Sequence, residues 1–295
     1  MRSPCSIALA AVVLVGCSAP SEPAPSAPSD TSQSFVLSDV QADLLHRFDA
    51  FSGARLDPNE AWDALEGPAG LTSSSDGDWL WVTSFETHEV MRFGSPHGGL
   101  ADVIYLDRAV LEEPVAVLEV DDGLLVLGND TDNVVRLDAQ GEVVMSFGGG
   151  HLAEPHDMTL GPDGLLYVAN AAWRPQLGLI QVFDLDTGER VREFARPDVL
   201  MDAVGLEFDA DGTLLVADWF GSRLLRFDPN SGQLLEVVAD SSDGLDRPLD
   251  LAVRDDGALL LIDRTDVVVV DGGVSLLVDG DANGLRWARA LHLLR

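Results

Sequence analysis

The sequence predicts an all-β protein, a six-bladed β-propeller of four-stranded antiparallel blades closed by pairing of the N- and C-terminal strands. Three observations support this prediction: a regularly repeated turn, short apolar runs between the turns, and incomplete repeats at both ends. The turn glycines recur at intervals of 46, 41, 48 and 45 residues, at Gly77, Gly123, Gly164, Gly212 and Gly257. A period of about 40–50 residues with four strands each is typical of propeller blades.

One repeat, residues 204–232, shows the strand pattern most clearly: VGLEFDADGTLLVADWFGSRLLRFDPNSG. Its apolar runs Leu206–Phe208, Leu214–Ala217 and Leu224–Phe227 are separated by polar turns, the first of which holds an Asp-Gly pair that favours a hairpin. The middle run is apolar on both alternating faces, as expected of a strand between two other sheets. With Leu234–Val238 these runs form a four-strand meander, which needs neighbouring copies to cover its faces.

The repeated region begins near Phe35, in the middle of a repeat. Val36–Asp39 matches the second strand of the other repeats, and Arg47–Asp49 matches the end of the third. The missing first strand is predicted at the far end of the chain, in Asn283–Trp287, although Leu291–Leu294 also resembles a second strand. Five complete repeats and this composite give six blades, and sharing one blade between the termini closes the ring without a free sheet edge.

Residues 1–16 are predicted to be a lipoprotein signal peptide. The apolar run Ile7–Val15 is too short to span a bilayer, and it ends in Leu14-Val15-Gly16-Cys17, which resembles the bacterial lipobox. In this interpretation Cys17 is the lipidation site; a plain signal peptide followed by an incidental cysteine is the alternative.

Residues 17–34 are rich in serine, proline and alanine, and are predicted to be a disordered tether that leads into the propeller domain, residues 35–295. In the pattern of bacterial lipoproteins, a serine directly after the lipidated cysteine, here Ser18, favours localisation to the outer membrane over retention in the inner membrane. We therefore expect an exported protein, lipid-anchored in the bacterial cell envelope at the outer membrane and facing the periplasm, with the membrane as one partner.

The formal net charge is −32, and all 18 basic residues are arginine. A domain this acidic repels phosphate backbones, which argues against a nucleic-acid partner. The acidic residues are scattered over turns, so a solvated surface suited to a salty habitat is favoured over a dedicated site for cations or basic partners.

The propeller geometry predicts two rings of residues around the central channel, because the start of each innermost strand and the loop between strands two and three lie on one face. The first ring comprises Ala69-Gly70, Val115-Ala116, His156-Asp157, Val204-Gly205, Leu249-Asp250 and Asn283-Gly284. The second comprises Asp39, Ser84, Asn129, Asn170, Asp218 and Asp263.

Loop residues beside the second ring are candidates for ligand binding. The ligand-binding candidates are Trp173, Arg174, Trp219, Phe220, Arg223, Asn170 and Asp218. Aromatic side chains in such loops suggest a ligand platform, with packing between loops as the alternative. Aspartate and asparagine at these positions also cap their own turns by accepting backbone N–H groups. In the first ring, His156 beside Asp157 is a catalytic candidate, a metal ligand or a general base oriented by a carboxylate, with a structural histidine as the alternative.

The repeated pattern Pro-x-x-Leu…Asp-Gly-x-Leu-x-Val-Ala-Asp…Arg-x-Phe resembles the NHL-type and gluconolactonase-like six-bladed propellers, a TolB-like architecture that hosts lyases, lactonases and binding domains. The resemblance to gluconolactonase-like enzymes implies a divalent-metal ligand at Glu66, in Glu66-Gly67-Pro68. These enzymes also have an Asn-Gly-Leu motif whose asparagine is a metal ligand. At the matching position of this chain Val204 replaces the asparagine, and the Asn-Gly-Leu sequence occurs instead at Asn283, in a different blade. Asp250 is a candidate substitute ligand. The resemblance to amidating-lyase propellers implies zinc-binding histidines after proline on several blades. Pro155-His156 fits that pattern, whereas Pro114-Val115 and Pro248-Leu249, at the equivalent positions of other blades, do not.

Two functions are therefore predicted. The first is an envelope-anchored binding propeller, whose channel-mouth face holds a protein, peptide or small-molecule ligand without chemistry or a required cofactor. The alternative is a divalent-metal-dependent, lactonase-like hydrolase or lyase that uses Ca²⁺ or another divalent metal at the central channel. The candidate metal ligands are Glu66, Asp250 and Asn283, and the candidate catalytic residues are His156 and Asp157.

Overall fold

A computed structural model describes residues 33–56, 65–95, 99–170, 179–195 and 198–294. Residues Gln33–Arg295 form one compact unit. Three candidates from the sequence, Cys17, Trp173 and Arg174, lie outside the described residues, as does the predicted signal peptide. No helix in the described ranges has the length and apolar character needed to cross a membrane.

The described strands form six antiparallel sheets, which we number as blades 1 to 6. Two strands near the start of the described chain, β1 (Ser34–Asp39) and β2 (Leu44–Asp49), belong to blade 6. Blade 1 contains β3 (Pro68–Ser73), β4 (Trp79–Ser84), β5 (Glu89–Gly94) and β6 (Leu100–Tyr105). Blade 2 contains β7 (Pro114–Val120), β8 (Gly123–Gly128), β9 (Asn133–Asp138) and β10 (Val143–Phe147).

The remaining blades follow the same order along the chain. Blade 3 contains β11 (Asp157–Leu160), β12 (Leu166–Ala169), β13 (Ile180–Phe183) and β14 (Arg190–Phe194). Blade 4 contains β15 (Ala203–Phe208), β16 (Leu214–Asp218), β17 (Arg223–Phe227) and β18 (Leu234–Ala239). Blade 5 contains β19 (Pro248–Val253), β20 (Leu259–Asp263), β21 (Asp266–Val270) and β22 (Val274–Val278). A single helical turn, α1 (Gly280–Asn283), leads to β23 (Ala288–Leu294), the innermost strand of blade 6.

The innermost strands contact one another in the order β3, β7, β11, β15, β19 and β23, and β23 returns to β3. This closed order confirms the predicted six-bladed propeller. Strands near the channel are buried on both faces; in β16, for example, every residue from Leu214 to Asp218 is buried. The inter-blade core is rich in aromatic side chains, and Phe147 and Phe183 pack with ring centroids 5.5 Å apart.

Blade 6 joins both ends of the described chain, as predicted. Strand β1 lies between β2 and β23, with Val36 opposite His292. Three strands are described in this blade, and an isolated bridge from Phe48 to Arg55 marks the position of a fourth.

The prediction that Asn283–Trp287 forms the innermost strand of this blade is wrong. Asp279 caps α1 by accepting the Ala282 N–H at 2.8 Å, and Gly284 ends the turn in the left-handed region, with φ 73°. These two caps hold the segment in a helical turn, so the innermost strand begins only at Ala288. The innermost position is therefore filled by Ala288–Leu294, and the second position by β1.

Two first-ring glycines let neighbouring innermost strands approach closely. A Cβ atom on Gly70 would lie 2.5 Å from the Ala116 Cα, and one on Gly205 would lie 2.6 Å from the Leu249 carbonyl oxygen. Backbone atoms cannot move aside as a side-chain tip can, so these positions exclude larger residues. The channel walls are correspondingly tight.

Candidate functional site

Four chemically active side chains meet in the central channel. His156 and Asp157 lie at the start of β11, Asp250 lies in β19, and Arg289 lies in β23; all four line a cavity of about 280 Å³. All four residues are half-buried, because the surrounding blades enclose them while the channel leaves part of their surface open. Because the innermost strands converge on the channel, residues far apart in sequence come together here.

The two aspartates make the same contact between blades. Each accepts the backbone N–H of the next residue in the chain with Oδ1, at 2.8 Å in both cases. With Oδ2, Asp157 accepts the Leu206 N–H of blade 4, and Asp250 accepts the Leu291 N–H of blade 6, both at 2.7 Å. Each carboxyl group therefore ties its innermost strand to that of the following blade.

Burial determines the protonation of this pair. It raises the pKa of Asp157 well above the usual value, and the nearby Asp250 carboxylate raises that pKa further. Burial also raises the pKa of Asp250 to about 6, against the lowering effect of its two backbone hydrogen bonds and of Arg289. The pair therefore retains protons in weakly acidic solution, where an exposed aspartate is fully ionised.

Arg289 and His156 form the other half of the cluster. The Arg289 Nη2 donates to His156 Nδ1 at 3.3 Å. Burial, with a contribution from Arg289, lowers the pKa of His156 to about 3, so the imidazole is neutral and can accept this hydrogen bond. Burial also lowers the pKa of Arg289, whereas the two aspartates raise it.

A second, smaller cavity lies at the channel mouth; we call it the mouth cavity, and it measures about 170 Å³. Its lining residues are Val40, Ala69, Phe85, Val115, Asn129, His156, Trp287 and Arg289. His156 and Arg289 also line the channel cavity, so they form the floor between the two spaces. Trp287 is 43% exposed, which places a large aromatic surface at the entrance. The mouth cavity thus combines largely apolar walls with a polar floor.

Sequence reasoning missed Arg289 and the position of Trp287, because it placed the innermost strand of blade 6 too early. The run of alternating residues from Ala288 to Leu294, with Leu291 and Leu293 on one face, was the available signal.

The second ring supports the loops that enter the blades. Four of its members are buried and accept backbone N–H groups from the segment that precedes their own innermost strand. These contacts are Asp39 with Arg286 (2.8 Å), Asn170 with Ala153 (2.7 Å), Asp218 with Asp202 (3.0 Å) and Asp263 with Asp246 (2.9 Å). Each contact fixes the approach of the chain to the channel.

The other ligand-binding candidates lie beside this ring. Arg223 forms an ion pair with the buried Asp218 and also donates to the Val199 carbonyl at 3.2 Å. Trp219 is partly buried against the core of blades 4 to 6, whereas Phe220 is 53% exposed. Phe220 is therefore the candidate of this group whose aromatic surface faces solvent.

The metal candidates are not brought together. Glu66 is exposed before β3 and Asn283 lies in α1, and neither lines the channel or mouth cavity. Within the described ranges, no group of three or more histidine, cysteine, aspartate or glutamate side chains is arranged to hold a metal ion. His156, Asp157 and Asp250 do share the channel, but there they surround the Arg289 cation.

The buried titratable groups give an expected pH dependence with two opposing parts. Asp250 binds its proton more tightly in the folded chain (pKa about 6, against 3.8), so its stabilisation is complete below about pH 4 and is lost as the pH rises to about 6. His156 binds its proton less tightly when folded (pKa about 3, against 6.5), so its contribution is lost as the pH falls from 6.5 towards 3.

We therefore expect Asp250→Asn to gain stability relative to wild type as the pH rises from 4 to 6. His156→Gln should gain relative stability as the pH falls through the same window. Each change should amount to about 1–3 kcal/mol, measured by urea unfolding at several pH values. Parallel pH profiles for both variants and wild type would show that neither group titrates differently on folding.

Comparison with known proteins locates the chain among propellers without assigning a family. No protein-family profile matches it. It is 25% identical over 226 residues to peptidyl-glycine alpha-amidating monooxygenase A of Xenopus laevis, covering 66% of this chain and 23% of that protein. Monooxygenase B of the same organism gives 25% identity over 224 residues, 66% of this chain and 25% of the relative. The chain thus spans about a quarter of the length of these relatives.

Solved structures share the fold at low sequence identity. A chain of the nidogen/laminin complex aligns with a TM-score of 0.71 and 17% identity, over 89% of this chain and 98% of that one. Virginiamycin B lyase from Staphylococcus aureus aligns with a TM-score of 0.59 and 17% identity, over 84% of this chain and 85% of that one. A protein of unknown function from Bacteroides caccae aligns with a TM-score of 0.67 and 12% identity, over 90% of this chain and 100% of that one. These likenesses show the propeller fold, in neighbours that include both a protein complex and a lyase.

Proposed function

We propose that this protein is an envelope-anchored lipoprotein whose propeller binds a ligand at the channel mouth. The observation that carries the proposal is the mouth cavity, with Phe85, Val40 and Trp287 on its walls and Arg289 and His156 on its floor. At about 170 Å³ it is smaller than the roughly 300–1,000 Å³ of pockets that enclose drug-sized ligands. It therefore suits a small molecule, or one ring of a larger one.

The proposed anchor is a lipid on Cys17, at the end of the predicted signal peptide, with residues 17–34 as the tether. Incorporation of labelled palmitate in a bacterial host tests this part of the proposal separately. Labelling that is lost in Cys17→Ser supports the anchor, and equal labelling of both chains contradicts it.

The binding test uses benzamide, a neutral aromatic probe of one ring. We expect wild-type protein to give a saturation-transfer NMR signal with benzamide, and Trp287→Ala to weaken that binding about tenfold, because the indole supplies apolar contact at the entrance. The matched control is Tyr105→Ala, which removes another exposed aromatic side chain, 74% exposed on the outer strand β6. Equal loss in both variants, or no signal with wild type, would contradict binding at the mouth.

The alternative function, a divalent-metal-dependent lactonase-like hydrolase or lyase, has support from the lyase among the structural neighbours and from the raised pKa values of the two channel aspartates. The donor set does not fit a metal. Both oxygens of Asp157 and of Asp250 already accept backbone N–H groups, and Arg289 adds a positive charge nearby. A melting temperature that rises on addition of CaCl₂ in wild type but not in Asp250→Asn would favour this alternative.

A further inference from the structure

We propose that Arg289, assisted by His156, binds the carboxylate of a small apolar monocarboxylate whose hydrocarbon part occupies the mouth cavity. This inference rests on the proposed binding function and names the chemistry of the ligand.

The first step is the unused hydrogen-bonding capacity of Arg289. A guanidinium carries five N–H donors, and it has no acceptor atom of its own. Among the described residues, the acceptor found for this side chain is His156 Nδ1. Arg289 lines both the channel cavity and the mouth cavity, so space that a ligand or water can occupy adjoins this side chain on both sides.

The second step is the tautomer of His156. Arginine has no acceptor, so the contact with Arg289 makes His156 Nδ1 the accepting nitrogen. The neutral ring must then carry its proton on Nε2, because the pKa of His156 is about 3. The floor of the mouth cavity is therefore formed by two side chains that can donate hydrogen bonds to a ligand.

The third step concerns the hydrogen bonds and charge of Asp157 and Asp250, whose carboxyl groups could occupy the Arg289 donors in place of a ligand. Their oxygens accept backbone N–H groups of the innermost strands, and no direct hydrogen bond joins either carboxyl group to Arg289 in the described structure. Burial raises the pKa of both groups, which reduces the negative charge beside an incoming anion. The two aspartates therefore act on Arg289 through space and leave its donors available to a ligand.

The fourth step is the choice of ligand class. A planar guanidinium matches a carboxylate with two parallel hydrogen bonds. One guanidinium and a neutral imidazole supply a single positive charge, which suits a monoanion better than a dianion such as phosphate. The walls formed by Phe85, Val40 and Trp287 favour an apolar body.

The experiment compares benzoate with benzamide, two probes of nearly equal shape that differ in charge. Isothermal titration of the wild-type protein should show benzoate binding at least tenfold more tightly than benzamide. In Arg289→Gln that preference should fall to about one, with benzamide binding retained. Arg289→Lys keeps the positive charge but loses the planar pair of N–H donors, so it should give an intermediate preference for benzoate. This variant serves as the test if Arg289→Gln does not fold.

The outcomes separate the two proposals. Benzamide binding without a preference for benzoate in wild type overturns the carboxylate inference and leaves the binding proposal standing. A preference for benzoate that stays at the wild-type level in folded Arg289→Gln, or in folded Arg289→Lys, also overturns it. Binding of neither probe to wild type contradicts both proposals.

Discussion

Deletion of β23 (Ala288–Leu294) is expected to abolish cooperative folding of the propeller. The strand pairs with β1, and it also contacts the innermost strands of blades 1 and 5, so its loss opens the ring at two boundaries. Ala288, Leu291 and Leu293 are buried in it, and the Leu291 N–H satisfies Asp250. The free energy lost with these contacts should exceed the roughly 5–15 kcal/mol by which a typical domain is stable against unfolding.

Near-UV circular dichroism and a thermal melt measure this effect in the deleted chain beside the full chain. We expect the deleted chain to lack fixed tertiary structure and to show no cooperative transition. Adding a synthetic peptide of residues 284–295 supplies the missing strand and should restore part of the signal. A cooperative melt of the deleted chain without peptide would contradict the interpretation of β23 as the closing strand.

Asp218→Ala is expected to cost about 3–5 kcal/mol of stability. The side chain of Asp218 is fully buried; its Oδ1 accepts the backbone N–H groups of Asp202 at 3.0 Å and Gly221 at 3.1 Å, and its Oδ2 pairs with Arg223. Removing it leaves buried donors and a partly buried cation without their acceptor, a combination whose loss typically has this size.

The control for this prediction is Asp211→Ala, which removes an exposed aspartate from the Asp-Gly turn on the opposite face of the same blade. Surface substitutions of this kind usually change stability by less than about 0.5 kcal/mol. Urea unfolding should therefore separate the two variants by several kcal/mol. Similar unfolding midpoints would show that the buried aspartate contributes no more than a turn residue.

The repeat allowed the sequence to predict the fold and the positions of several channel residues. The spacing of the turn glycines and the apolar second strands placed His156, Asp157 and Asp250 in the first ring, and the structure has all three around the channel. This worked because each blade repeats one strand order, so a position in one blade implies the equivalent position in the next.

Arg289 could not be found in that way. The approach to blade 6 contains α1, whose capping interactions interrupt the repeat, and the composite blade has no complete copy within the chain. The protonation of the site was equally hidden, because it depends on burial and on the contacts of Asp157 and Asp250 with blades 4 and 6. Such contacts between distant segments leave no local pattern in a sequence.

The shared construction of blade 6 also sets the order of events during folding. Ser38 accepts the Ala290 N–H from a residue 252 positions away, so this bond must wait until nearly the whole domain has been synthesised. Bringing such distant segments together is entropically costly and slow. Ring closure is therefore expected to be the late, rate-limiting event, and a circular permutant with the present ends fused and new ends between blades 2 and 3 should refold by a different route to the same architecture.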